Sequence, residues 1–254
     1  MIIKDMILDG IPVTEYQKED RAPRRLLFFF HGFTGERKTG VGDRAETLAD
    51  LGFLIVAPDA YLHGERSPAF FANWDNSRRQ KEIVNIIIRT AREAELIYRK
   101  YYKDKRGFNT DAVYAYGVSM GAAIALYLAS FMPEAKTAVS IVGSPSFCAF
   151  YERKREAYGF ARDEYYAVNL ASYRSEDPLL NWQRFKGKSL FLSGGTEDVI
   201  VPPVYAEELS ELLRGEDVVF KKYATGHEST PEMTEDSYRF LSERLARDIA
   251  KNGE

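Results

Sequence analysis

A serine flanked by glycines is the first feature of this sequence that could do chemistry. Residues 117–121 read Gly-Val-Ser-Met-Gly, which is the G-x-S-x-G pattern of a strand-to-helix turn that exposes a serine hydroxyl. A strand-like run, Ala112–Tyr116, precedes the turn, and a helix-forming run, Ala122–Ala129, follows it. The small glycines allow the close backbone approach that such a turn requires. We therefore predict that Ser119 is a nucleophile; the alternative is a structural turn with an inactive serine.

A serine hydroxyl is a weak nucleophile at neutral pH and needs a neighbouring base. The sequence contains three histidines, His31, His63 and His227. Enzymes with this kind of turn order their catalytic residues as Ser, then Asp or Glu, then His. Because His227 is the only histidine after Ser119, elimination predicts that it is the base. For His63, in the loop after an earlier strand-like run, we expect a structural hydrogen bond rather than a contact with substrate.

An acidic residue must orient the histidine and stabilise its protonated form. Two candidates, Glu197 and Asp198, stand side by side after the strand-like run Ser189–Leu192. Loops that follow the carboxyl ends of parallel strands are where catalytic groups gather. We prefer Asp198, because the adjacent Val-Ile-Val-Pro run indicates that the chain turns inward there. Glu197 remains the competing assignment.

Attack on a carbonyl group creates a negative oxygen that needs two preorganised donors. The backbone N–H of Met120, the residue after the predicted nucleophile, is the first candidate. The second is the backbone N–H of Phe33, in the His-Gly-Phe-Thr-Gly segment that follows the third strand-like run. Gly32 in that segment also has a simpler interpretation, in which it only permits a turn.

Short apolar runs alternate with longer helical patterns along the chain, which favours an α/β sheet with crossover helices. Asp9-Gly10 separates the first two runs and is a strong hairpin signal. We find no internal repeat and no linker-like composition, so we predict a single domain over residues 1–254. The strand-like runs are Ile2–Leu8, Ile11–Tyr16, Leu26–Phe30, Leu54–Ala57, Ala112–Tyr116, Thr137–Val142, Ser189–Leu192 and Val218–Tyr223.

One segment, residues 144–187, interrupts this alternation with many aromatic and charged residues and no clear strand. Two compatible interpretations remain open: a pair of packed helices, and a small lid or cap whose aromatic side chains line a substrate pocket. The basic run Arg153–Arg155 within the segment is typical of a solvated helix face. The aromatic residues include Phe147, Phe150, Tyr151, Tyr158, Phe160, Tyr165, Tyr166 and Tyr173.

Composition excludes several classes of protein. The 254 residues include 35 basic and 38 acidic side chains, for a net charge of −3, which argues against a dedicated nucleic-acid binder. The longest apolar runs are far shorter than the roughly 18 residues of a membrane span, and no secretory signal is visible. Cys148 is the only cysteine, so an intrachain disulfide and a multi-cysteine metal site are excluded. We expect a soluble, cytoplasmic protein without a nucleic-acid partner or membrane span.

Five motifs occur in one order: HGFTG, APDAYLHG, GVSMG, GTEDVIVPP and TGH. With them the sequence resembles the α/β-hydrolase superfamily over almost its whole length. Within it, the sequence is similar to small bacterial carboxylesterases of the dienelactone-hydrolase and prolyl-oligopeptidase branch. The resemblance implies an α/β-hydrolase fold with an eight-stranded, mostly parallel sheet and helices on both faces. It also implies a Ser119–His227–Asp198 triad, an oxyanion hole at Phe33 and Met120, and no cofactor or metal. Dienelactone hydrolases use a cysteine nucleophile, where this sequence has a serine.

We therefore expect hydrolysis of a small-molecule carboxylic ester through an acyl-enzyme, with short acyl chains favoured by a compact aromatic pocket. Two alternatives stay open. A thioesterase or peptidase would use the same residues, because function depends on the site and its pocket. A non-catalytic α/β-hydrolase scaffold would bind a ligand without turning it over. The presence of all three predicted triad residues favours an enzyme.

Overall fold

A computed structural model of the protein describes residues 1–105 and 107–252. Eight strands of this part of the chain form one sheet. They are β1 Ile2–Leu8, β2 Ile11–Gln17, β3 Arg25–Phe30, β4 Phe53–Pro58, β5 Val113–Val118, β6 Ala135–Ile141, β7 Ser189–Gly195 and β8 Val218–Tyr223. The order across the sheet is β1-β2-β4-β3-β5-β6-β7-β8. β2 pairs antiparallel with β1 and β4, and the remaining pairs are parallel.

Every predicted strand is present, with small shifts at the strand ends. The central strands β3 and β4 are buried along their whole length, which explains their continuous apolar sequences, since helices cover both faces of a parallel sheet. The outer strand β8 is only partly buried and carries the two adjacent exposed lysines Lys221 and Lys222.

Helices lie on both faces of the sheet, so the predicted fold class is confirmed. One face packs against α5 and α6, and the other against α2 and α10. In the described part of the chain, no helix is long and apolar enough to cross a membrane. The helices are α1 Arg37–Val41, α2 Arg44–Leu51, α3 Ala69–Ala72, α4 Asn76–Lys81, α5 Ile83–Ile97, α6 Met120–Phe131, α7 Phe147–Tyr158, α8 Glu164–Glu176, α9 Val204–Leu212 and α10 Pro231–Asn252.

The segment 144–187 contains the two helices α7 and α8, which pack against each other. A fully buried carboxylate, Asp177, anchors the beginning of α7. It accepts hydrogen bonds from the backbone N–H of Cys148 at 2.9 Å and from the Ser146 hydroxyl at 3.3 Å. Burial and the neighbouring Asp177 carboxylate raise the pKa of the Cys148 thiol to about 12, so this thiol is protonated and unreactive at neutral pH.

A buried ion pair joins the loop after β4 to the start of α1. Asp59 is fully buried and Arg37 is 3% exposed. The guanidinium Nη1 of Arg37 donates to Asp59 Oδ2 at 2.6 Å, and the backbone N–H of Arg37 donates to Asp59 Oδ1 at 2.8 Å. The second arm of the guanidinium donates to Glu65 Oε1 at 2.6 Å. Asp59 thus neutralises a charge that has no access to water.

Replacement of Asp59 by alanine should lower the free energy of unfolding by about 3–5 kcal/mol, because it leaves the Arg37 charge without its buried partner. Urea denaturation measures this loss. The matched control is Glu65→Gln, which removes the solvent-exposed partner of the same arginine and should cost less than about 1 kcal/mol. Equal losses in the two variants would show that Asp59 is not the principal partner.

Candidate active site

Ser119 joins the end of β5 to the start of α6 in an unusual backbone conformation. Its φ is 57° and its ψ is −116°, a left-handed φ that side chains other than glycine rarely adopt. The backbone N–H of Ser119 donates to the carbonyl oxygen of Ile141 at 2.8 Å, which ties the turn to β6. The turn directs the serine side chain into a cavity at the carboxyl edge of the sheet. Strain of this kind concentrates at functional sites.

The two glycines of the motif allow this turn to pack closely. A Cβ atom on Gly117 would overlap the carbonyl group of Gly121, and a Cβ atom on Gly121 would overlap the carbonyl oxygen of Phe30 at the end of β3. Neither overlap could be relieved by rotating a side chain, because both involve backbone atoms. The close backbone approach predicted from the sequence is therefore present.

The structure brings Ser119, His227 and Asp198 together in a hydrogen-bonded chain. Ser119 Oγ lies 2.8 Å from His227 Nε2, and His227 Nδ1 lies 2.7 Å from Asp198 Oδ2. The three residues follow β5, β8 and β7, whose carboxyl ends share one edge of the sheet. The Asp198 side chain is fully buried and that of His227 is 18% exposed. This arrangement lets the imidazole take a proton from the serine while the carboxylate holds the ring in place.

Asp198, and not its neighbour Glu197, is the acid that reaches the histidine. Glu197 is exposed, whereas Asp198 Oδ1 accepts the backbone N–H groups of Ile200 at 2.9 Å and Val201 at 2.8 Å. The reason for preferring Asp198 was only partly right, because Val199 and Ile200 are exposed and Val201 alone of these three is buried. The backbone hydrogen bonds, rather than an inward apolar run, fix the carboxylate.

The two predicted oxyanion donors belong to residues that line the same cavity as Ser119. Met120 is the first residue of α6, and N–H groups in the first turn of a helix lack acceptors within that helix. Phe33 lies opposite, in the loop after β3, and the next residue, Thr34, has a φ of 66°. The partial positive charge of the helix N-terminus also favours a negative oxygen here.

His31 holds the loop that carries Phe33. It is 1% exposed, and its Nε2 accepts the backbone N–H of Ala60 at 3.0 Å. Its Nδ1 therefore carries the proton and donates to the carbonyl oxygen of Gly32 at 2.8 Å. Burial lowers the pKa of His31, which favours this neutral form. The histidine thus has a structural role in positioning one of the predicted donors.

A cavity of about 370 Å³ opens at Ser119 and His227. Helix α7, from the segment 144–187, provides much of its wall. Lys154, expected on a solvated face, is 7% exposed and lines the cavity instead. The sequence did indicate that Lys154 lies on the cavity side of α7, because the cavity-lining residues of this helix recur three or four positions apart. The lining residues from α4, α5 and α7 are Gln80, Ile83, Ile87, Phe147, Phe150, Lys154 and Tyr158.

The chain as a whole is similar to known proteins. The sequence pattern of the dienelactone hydrolase family matches residues 14–243. The chain belongs to this family. Esterase YjfP of Escherichia coli (strain K12) is 25% identical over 250 residues, which are 94% of this chain and 95% of that protein.

Solved structures show the same fold as this member of the dienelactone hydrolase family. TT1662 from Thermus thermophilus superposes with a TM-score of 0.71 at 22% identity, covering 96% of this chain and 99% of that one. The Pyrococcus furiosus esterase Pf2001 superposes with a TM-score of 0.63 at 18% identity, covering 95% and 92%. The predicted α/β-hydrolase superfamily is confirmed, and family and relatives bear out the prediction of a carboxylic ester hydrolase.

His63 makes the structural hydrogen bond that the sequence predicted for it. Its Nδ1 lies 2.9 Å from the carbonyl oxygen of Tyr61, and the residue is 4% exposed. Its ring packs against Phe33 and Phe71, with centroid distances of 5.2 Å and 5.9 Å. Burial lowers the pKa of His63 from 6.5 to about 4, so this ring is neutral when the protein is folded at neutral pH.

This low pKa should make the folded state less stable in mild acid. Between the unfolded-state pKa of 6.5 and the folded-state value of about 4, the unfolded chain binds a proton at His63 that the folded chain does not. The free energy of unfolding should therefore fall as the pH falls through this range, by up to about 3 kcal/mol from this group. The His63→Phe variant removes the contribution.

Urea denaturation of both proteins at several pH values from 7 to 4 checks this expectation. Other titrating groups are common to the two proteins, so the difference between their unfolding free energies isolates His63. As the pH falls, the free energy of unfolding of His63→Phe should decrease less than that of the wild type. A constant difference across the range would contradict the assignment of a neutral, buried ring.

Proposed function

We propose that the protein is a serine hydrolase that cleaves carboxylic esters with short acyl chains through an acyl-enzyme intermediate. The hydrogen-bonded chain from Ser119 through His227 to Asp198 carries this proposal, because it ends in a cavity large enough for a small ester. Esterase activity in the names of YjfP and Pf2001 supports an ester rather than a thioester or a peptide as substrate.

In the proposed mechanism, Ser119 Oγ attacks the ester carbonyl while His227 Nε2 takes its proton. Asp198 stays ionised, accepts the His227 Nδ1–H and stabilises the imidazolium. The backbone N–H groups of Phe33 and Met120 hold the oxyanion of the tetrahedral intermediate. The imidazolium then protonates the leaving alcohol, and the acyl group remains on the serine. Water, deprotonated by the same histidine, attacks the acyl-enzyme and releases the acid.

The size and lining of the cavity support the preference for short acyl chains. At about 370 Å³, the cavity is at the small end for ligand sites, and the aromatic rings of Phe147, Phe150 and Tyr158 on α7 narrow it. We propose that residues 144–187 act as a cap on a single α/β-hydrolase domain. The absence of a cofactor, the small-molecule partner and the cytoplasmic location expected from the sequence stay predictions.

Hydrolysis of p-nitrophenyl esters from acetate to palmitate tests the proposed nucleophile and acyl size. Wild-type activity should be greatest with the short esters, and Ser119→Ala should lower kcat by a factor approaching 10⁶. A fluorophosphonate probe should label the wild type at Ser119 and leave the variant unlabelled. The matched control is Ser229→Ala, another serine that lines the cavity, which should retain most activity. A non-catalytic scaffold would show neither turnover nor labelling.

A second pair of variants tests the acid. Asp198→Asn should lower kcat by about 10⁴-fold, because an amide in this place favours the wrong tautomer of the histidine. Glu197→Gln removes the same charge from the adjacent, exposed residue and should leave kcat unchanged within about twofold. Greater damage from the Glu197 change would show that Asp198 is not the acid of the triad.

A further inference from the structure

Lys154 is a buried cation in the cavity that contains Ser119. The residue is 7% exposed and lines the cavity wall from α7. Its ammonium lies 4.8 Å from the ring centroid of Phe150 and 5.8 Å from that of Tyr158. Over residues 1–105 and 107–252, no carboxylate forms an ion pair with it and no acceptor forms a hydrogen bond with it. Buried ammonium groups are normally paired, because removal of the charge from water is costly.

Two other cations of the chain, the partly buried Lys188 and the buried Arg244, show how such groups are normally satisfied. The Lys188 ammonium donates to the carbonyl oxygens of Met132 at 2.9 Å and Ala135 at 3.0 Å. Arg244 pairs with Asp217 at 2.5 Å. Lys154, in contrast, lies near the aromatic rings of Phe150 and Tyr158 and lines an open cavity. The Asp198 carboxylate acts on the ammonium electrostatically without forming an ion pair with it, so the N–H donors of Lys154 are available to a ligand.

A second polar group lies unsatisfied in the wall of the same cavity. Gln80, on α4, is 5% exposed, and its Oε1 has no hydrogen-bond partner among the described residues. The helices α4 and α7 pack against each other, so Gln80 and Lys154 belong to neighbouring walls. The rest of this wall is formed by apolar and aromatic side chains such as Ile83 and Ile87. A purely hydrocarbon acyl chain would leave both polar groups unpaired.

The sign of the charge indicates which part of the substrate would meet Lys154. The leaving alcohol must lie beside His227, which protonates it, and the next residue, Glu228, is exposed and also lines the cavity. A carboxylate at Glu228 would repel an anionic alcohol. An anion is therefore better placed on the acyl part, which extends into the buried wall.

We propose that Lys154 determines specificity by pairing with a carboxylate at the far end of the acyl chain, so that the preferred substrates are short monoesters of dicarboxylic acids. The inference rests on the proposed ester hydrolysis and adds no chemical step to it. Hydrolysis of such a monoester breaks the ester bond and adds one water molecule. The products are the alcohol and a dicarboxylate. Burial lowers the pKa of Lys154, and a bound carboxylate would favour its charged form.

Monomethyl glutarate and methyl pentanoate test the proposal, because they have acyl chains of the same length and differ in the terminal carboxylate. Released methanol gives kcat/KM for both. The wild type should prefer the glutarate ester by at least about tenfold. Lys154→Met should lower kcat/KM for this ester by roughly 100-fold, with the pentanoate value unchanged within about twofold. Lys154→Arg keeps the charge and should restore much of the preference.

The control for a general loss of positive charge is Lys136→Met, an exposed lysine on β6, which should leave the preference intact. Thermal unfolding of each variant shows whether it is folded. No preference in the wild type, or equal losses for both esters in Lys154→Met, would overturn the proposal.

Calorimetric titration with glutarate separates this proposal from the proposed ester hydrolysis. Glutarate should bind the wild type and Ser119→Ala alike, and at least about tenfold more weakly to Lys154→Met. In a second outcome, the wild type binds glutarate and Lys154→Met does not, while the wild type hydrolyses neither ester and is not labelled by fluorophosphonate. This result would overturn the proposed hydrolysis and retain the anion site. Equal glutarate binding by the wild type and Lys154→Met would overturn the anion site.

Discussion

The contact between the first turn of α6 and the end of β3 is the constraint on which the site depends. Gly121 lies so close to the carbonyl group of Phe30 that no side chain fits between them. Because of this contact, a sharp turn joins β5 to α6, and Ser119 in that turn has a φ of 57°. The hydroxyl is thereby held at the carboxyl edge of the sheet, where the parallel strands deliver their loops. The strain stays in place because buried helix and strand surround it.

Parallel pairing brings the other groups to the same edge. β5, β6, β7 and β8 lie next to one another in this order, so their following loops are neighbours. The loop after β7 presents Asp198, and that after β8 presents His227, which spans back to Ser119. The loop after β3 adds Phe33 from the other side. Each group comes from a separate loop, and the regular spacing of the strands sets the distances between them.

Features that depend on local sequence could be predicted, and those that depend on a packing partner could not. The central strands are recognisable because each is a short apolar run between turn residues, and the serine turn because Gly117 and Gly121 flank Ser119 within five residues. The inward turn expected of the Val199–Val201 run is present only at Val201, and backbone hydrogen bonds to Asp198 hold the carboxylate instead. Lys154 was assigned to a solvated face because of its basic neighbours. The charge pattern of α7 does not reveal this burial, whereas the three- and four-residue spacing of its cavity-lining residues does.

The same cavity thus contains two features that do not stabilise the fold. Ser119 occupies a strained conformation. In the largely apolar wall of the cavity, Lys154 forms no ion pair or hydrogen bond, and Gln80 Oε1 no hydrogen bond, with any residue that the structure describes. Each arrangement is unfavourable to folding and is maintained by the packed helices around it. Strain at the serine holds the hydroxyl ready for reaction, whereas unpaired polar groups leave hydrogen-bonding capacity for a ligand. The buried cation Arg37, in contrast, pairs with the buried carboxylate of Asp59. Lys154 lines the same cavity as the strained Ser119, so the proposed substrate would supply the partner that the fold does not.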